Sequence, residues 1–121
     1  MPLINLFKSL QAALRGLKYT FKSEQNFRLQ ILASVAVLFL TWIFPLKSWE
    51  VILVILLVVA VLTMELLNTA LEYFADLLKP RLHHYVEIVK DVMAAAVLVT
   101  SLGSLIIGLI IFYPHFIGLL K

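Results

Sequence analysis

The sequence predicts an all-α integral membrane protein: three transmembrane helices preceded by an amphipathic helix on the membrane surface. Three observations predict it. Of the 121 residues, 63% are hydrophobic and 14% charged. The mean hydropathy is +1.04, and the apolar share stands well above the roughly 45 to 50% of soluble domains. The apolar residues also gather into runs long enough to cross a hydrocarbon core of about 30 Å, instead of being spread at amphipathic spacing. Only four glycines and four prolines interrupt them. A water-soluble fold has nowhere to put this much apolar surface, and residues 1–121 suffice for one compact domain. The absence of cysteine excludes disulfides and thiolate metal sites.

Residues 1–28 hold five of the ten basic residues, Lys8, Arg15, Lys18, Lys22 and Arg28. Leu3, Leu6, Phe7, Leu10, Leu14, Leu17 and Phe21 recur at steps of three and four. That is an amphipathic helix whose basic side suits anionic headgroups. A signal peptide fits poorly, because a long charged region precedes the apolar stretch and no small-residue cleavage pattern follows it, so the first span is expected to be retained. Residues 29–46 form that span; they are apolar apart from Gln30, Ser34 and Thr41 and end at Trp42, Phe44 and Pro45. At about 1.5 Å per residue they cross most of the core. Lys47, Ser48, Trp49 and Glu50 make a short turn, flanked by Trp42 and Trp49 as an interfacial aromatic belt. Spans one and two therefore form a tight hairpin.

The second apolar run starts at Val51 and fades near Leu67, yet good helix formers continue to Leu78 until Pro80 breaks them. Residues 51–78 are read as one helix that projects into water. A loop around Lys79, Pro80 and Arg81 leads to an amphipathic stretch with His83, His84, Glu87, Lys90 and Asp91, and then to the third span, residues 92–113. Ala94 to Ala96, Gly103, Ser104 and Gly108 give that span small surfaces for close helix packing. The amino-terminal segment carries five Lys and Arg and the connection from Lys79 to Lys90 carries three, against Lys47 and Lys121 elsewhere. The positive-inside rule places the richer segments in the cytoplasm.

Polar chemistry concentrates on one helix. At about 100° per residue, Glu65, Asn68, Thr69, Glu72 and Asp76 fall within roughly 100° of arc, a single polar stripe. Glu72 and Asp76 are explained by a solvated continuation of the helix; Glu65 and Asn68 are explained less well. A carboxylate abutting an apolar run at the interface is costly and points to function. Carboxylates one turn apart repel, which calls for a divalent cation or basic partners, and oxygen donors of this kind suit Mg²⁺.

Glu24, Asn26, Arg28 and Gln30 precede or open the first span, and Lys90 with Asp91 the third, all at the predicted face of Glu65. Basic residues at helix ends also snorkel without further role, so their case rests on the group. His83 and His84 point about 100° apart and no third His or Cys completes a zinc site. His83 is open to two readings, packing near a nucleotide base or a plain interfacial histidine; His115 suits a headgroup contact. No Gly-rich phosphate loop is present. A nucleotide would need carboxylate-held Mg²⁺ and Lys90, because phosphoryl transfer chiefly requires positioning and charge neutralisation.

The run Glu65, Leu66, Leu67, Asn68, Thr69, Ala70, Leu71, Glu72, with Asp76, Lys90 and Asp91 after it and Glu24, Phe27 and Arg28 before it, resembles the small prokaryotic membrane kinases of the diacylglycerol kinase and undecaprenol kinase family. The resemblance covers Gly16 to Val97. It implies a homotrimer in the bacterial inner membrane with active sites between subunits at the cytoplasmic interface, transferring the γ-phosphate of ATP to a lipid hydroxyl. It further implies that Glu65 is the general base and that Glu24 and Glu72 hold the Mg²⁺ bound to ATP. Asn68 would orient that site, Lys90 would contact the phosphates, Asp91 and His83 would lie towards the nucleoside, and Arg28 with Glu65 would face the lipid. Ala94, Ala95 and Ala96 depart from the glycine common there in relatives, and Gln30 replaces a frequent His, which leaves both lipids open. The alternatives are a small proton-coupled multidrug-type transporter, which needs its carboxylate at mid-span, and a non-enzymatic membrane subunit.

Overall fold

A computed structural model describes residues 2–121; Met1, the first residue of the expected surface segment, lies outside them. The chain forms four helices: α1 (Pro2–Ser23), α2 (Gln25–Ile43), α3 (Ser48–Leu77) and α4 (His83–Leu120). Helices α2, α3 and α4 are long and apolar enough to cross a membrane, which makes this a multi-pass membrane protein.

Three boundaries differ from the expectation, each for a local reason. The basic amphipathic segment does not run unbroken to Arg28: Glu24 takes an extended backbone (φ −114°, ψ 111°) and separates α1 from α2. Helix α2 ends at Ile43, short of Leu46, because the residue before a proline is pushed out of the helical region; Phe44, before Pro45, has φ −83° and ψ 148°. The helix that carries the third span starts before Val92. Helix α4 begins at His83 and runs on through Pro114 to Leu120, so the polar stretch with Lys90 and Asp91 is continuous with the span.

Helix α3 is the centre of the molecule. It packs along α4 most extensively and along α2 on another side, while α1 lies against both α2 and α3 near their polar ends. The hairpin turn between α2 and α3 is closed by Glu50, whose Oε1 accepts the Lys47 backbone N–H at 2.9 Å. Near this turn Phe44, Val54, Ile111 and Phe112 form the apolar core. Much of the remaining apolar surface points outwards, with Leu32, Val99 and Ile110 each about two-thirds exposed or more. Lipid tails are as apolar as Leu, so outward apolar side chains cost nothing in a bilayer.

Candidate active site

The polar end of α3 builds the site. Glu65 lies seventeen residues after Ser48, about 26 Å along the helix axis and so near the end of a core of about 30 Å. That is not the midplane position an intramembrane transporter carboxylate would take. Its side chain is turned inwards, with 2% of the residue exposed. Gln30 reaches across from α2, its Nε2 donating to Glu65 Oε2 at 3.5 Å, a long bond that holds the carboxylate only loosely. One turn on, the buried Thr69 hydroxyl donates to the Glu65 carbonyl at 3.0 Å, satisfying itself locally.

The stripe continues as a set of side chains that fix one another. Asn68 Nδ2 donates to Glu72 Oε1 at 3.2 Å, which orients the Glu72 carboxylate from one helical turn away. Glu24, at the break between α1 and α2, and Glu72 both lie within electrostatic reach of Glu65. The three expected carboxylates are therefore neighbours, brought together from two places in the chain. No group of three His, Cys, Asp or Glu among the described residues is disposed to hold a metal ion alone. Glu24 and Glu72 are both half-buried oxygen donors, the chemical type that Mg²⁺ takes one or two at a time when phosphates and water complete its shell.

The basic residues are placed differently from one another. Lys90 Nζ donates to Asp76 Oδ1 at 2.6 Å, linking α4 to the last turns of α3. Lys79 and Glu87 pair at 3.5 Å nearby. Asp91 is exposed on the neighbouring face of α4, and His83 is exposed at its first residue. Arg28 is committed elsewhere: its Nη1 donates to the carbonyls of Phe21 and Lys22, at 2.7 and 2.9 Å. It satisfies the free carbonyls at the carboxyl end of α1, where a cation also complements the helix dipole.

Some participants have no signature in the sequence. Gln30 stands out there only as a polar residue at the start of a span. Tyr19 of α1 and Tyr73 of α3 meet edge to face with ring centroids 5.4 Å apart and their hydroxyls hydrogen-bonded. Tyr19 is also within electrostatic reach of Glu24, so this contact sets α1 beside the carboxylates.

A groove opens below the site. Helices α2 and α4 flank α3, and the space between them is a cavity of about 410 Å³ that runs from Gln30 and Ser101 to Leu40, Phe112 and Phe116. Its walls are almost entirely apolar, and Gln30 Oε1 and Ser104 Oγ are buried on it with no protein partner. Gln30 thus belongs both to the carboxylate cluster and to the top of an apolar groove.

A family model for prokaryotic diacylglycerol kinase matches residues 11–112. The chain is 39% identical over 108 residues to the undecaprenol kinase of Bacillus subtilis, covering 89% of this chain and 88% of that protein. It is 33% identical over 117 residues to the diacylglycerol kinase of Synechocystis, covering 96% and 67%. It is 31% identical over 112 residues to the diacylglycerol kinase of Haemophilus influenzae, covering 92% and 95%. The chain belongs to the prokaryotic diacylglycerol kinase family and is an ATP-dependent lipid kinase.

Proposed function

We propose that the chain phosphorylates the hydroxyl of undecaprenol or diacylglycerol at the cytoplasmic face of the bacterial inner membrane, with Glu65 as the general base. The observation that carries this reading is the position of Glu65: inward-facing, at the end of a membrane span, and joined through Gln30 to the top of an apolar groove. A lipid chain in the groove puts its hydroxyl at Glu65, while a water-borne nucleotide approaches Glu24, Glu72 and Lys90 from the polar side. The greater identity to an undecaprenol kinase, over nearly all of both chains, favours undecaprenol.

Glu65 takes the proton of the lipid hydroxyl as its oxygen attacks the γ-phosphorus of ATP; the bond to the bridging oxygen breaks and ADP leaves. Placing both substrates at one spot supplies much of the acceleration, since phosphoryl transfer asks the protein mainly for alignment and charge neutralisation. Mg²⁺ held by Glu24 and Glu72 would neutralise phosphate charge. Asn68 keeps Glu72 oriented, and Lys90 exchanges Asp76 for the phosphates. Asp91 and His83, at the start of α4, face the nucleoside. Helix α1 lies on the membrane surface, as its exposed Leu3, Leu6, Phe7, Leu10 and Leu14 favour, and three copies of the chain complete the sites between them.

The test is transfer from labelled ATP, in mixed micelles with Mg²⁺, to undecaprenol and separately to diacylglycerol. Faster transfer to undecaprenol is expected, and transfer to neither lipid would refute the reading. Cross-linking in the same micelles checks the trimer; a purely monomeric active species would remove the shared site.

A further inference from the structure

We propose that Phe112 and Phe116 form a floor that limits how much of the acceptor's hydrocarbon chain the groove takes, with Phe44, His115 and Glu50 holding that floor in place. The proposal rests on the reading of the groove as the acceptor-lipid site. The groove starts beside Glu65, where the hydroxyl reacts, and its last lining residue on α4 is Phe116. From Ser101 to Phe116 the helix rises about 22 Å, and Phe116 packs on Phe44 beside the turn between α2 and α3, so the groove ends at the far edge of the hydrocarbon core.

The floor is braced from behind. Phe44, at the end of α2, meets Phe116 edge to face with centroids 5.0 Å apart and Phe112 at 6.3 Å. Phe44 and Phe112 are 8% and 6% exposed and closely packed, while Phe116 keeps 46% of its surface free on the groove side. His115 also lies against Phe44, with ring centroids 5.7 Å apart, and its Nε2 stands 3.8 Å from Glu50 Oε1. That same oxygen accepts the Lys47 backbone N–H and closes the turn between α2 and α3. Pro114 removes one backbone donor from the middle of this segment, so side chains carry more of the task of fixing it. The occupant is the hydroxyl-bearing end of an isoprenoid chain, the acceptor favoured above: the walls offer methyl and methylene surface and only scattered hydroxyls, and the acyl series serves as the comparison.

The experiment measures kcat/KM for two homologous series of acceptors, monoacylglycerols and prenols, each running from medium to long chains, with the full-length protein in micelles. The wild type is expected to show an optimum beyond which added carbons bring no gain. Phe116→Ala should move the optimum to longer chains and raise the long-to-short ratio of kcat/KM about threefold: a steric stop is removed and packing contacts are gained, while the chain only exchanges one hydrocarbon medium for another. Phe116→Trp should move it to shorter chains, and serves if the alanine variant folds poorly. A merely structural role would lower kcat/KM for all chains together and leave the ratio unchanged. Transfer with an unmoved optimum in the variants overturns the floor alone; no transfer to any chain by the wild type overturns the acceptor-site reading and the floor with it.

Discussion

Replacing Glu65 by glutamine separates the catalytic from the structural account of this carboxylate. The amide keeps the shape and can still meet Gln30, which holds the carboxylate by a single 3.5 Å hydrogen bond, so little packing is lost. What disappears is a negative charge that lies within reach of Glu24 and Glu72. Glu72 is two helical turns away, about 10 Å along the axis, where a like-charge pair repels by about 1.6 kcal/mol at an effective dielectric of about 20. Stability should therefore hold or rise by about 1 kcal/mol, read as an unchanged or higher Tm in micelles. Loss of a general base should lower kcat about 10²- to 10⁴-fold with the KM for ATP nearly kept. A kcat within about threefold of wild type would remove Glu65 from the chemistry. A fall in Tm alongside the loss of activity would make it a structural carboxylate instead.

Three further outcomes are expected. Asn68→Ala releases Glu72 from its 3.2 Å partner and should raise the Mg²⁺ concentration for half-maximal activity about tenfold, with Glu72→Gln raising it further, as titration of Mg²⁺ at fixed ATP will show. Lys90→Met breaks a solvent-screened pair with Asp76, so Tm should move little while the KM for ATP rises about tenfold or more; a KM unchanged would leave Lys90 as a surface brace. Arg28→Met removes two hydrogen bonds to the end of α1 and should cost about 1–2 kcal/mol locally, seen as faster amide exchange in α1 than in α3.

The sequence by itself determined the three spans and the polar stripe of α3. Span length and apolar content are read along one dimension, and the stripe follows from the 3.6-residue period of a single helix, so Glu65, Asn68, Glu72 and Asp76 share a face before any neighbour is known. The stop near Pro80 was legible for the same local reason. The kinase motif was legible as well, and the family match over residues 11–112 agrees with it.

The tertiary structure decided which faces meet. Helix α2 and the part of α4 after Asp91 are apolar nearly all round, so no periodic pattern declares the side that turns to α3. Gln30 reaching Glu65, Lys90 meeting Asp76 and Phe116 closing a groove against Phe44 all depend on the rotation of each helix about its own axis. The break at Glu24 and the use of Arg28 as a cap on α1 depend in turn on where α1 docks. Helix formation is governed by hydrogen bonds four residues apart, whereas docking is governed by side chains far apart in the chain; only the first is written in consecutive residues.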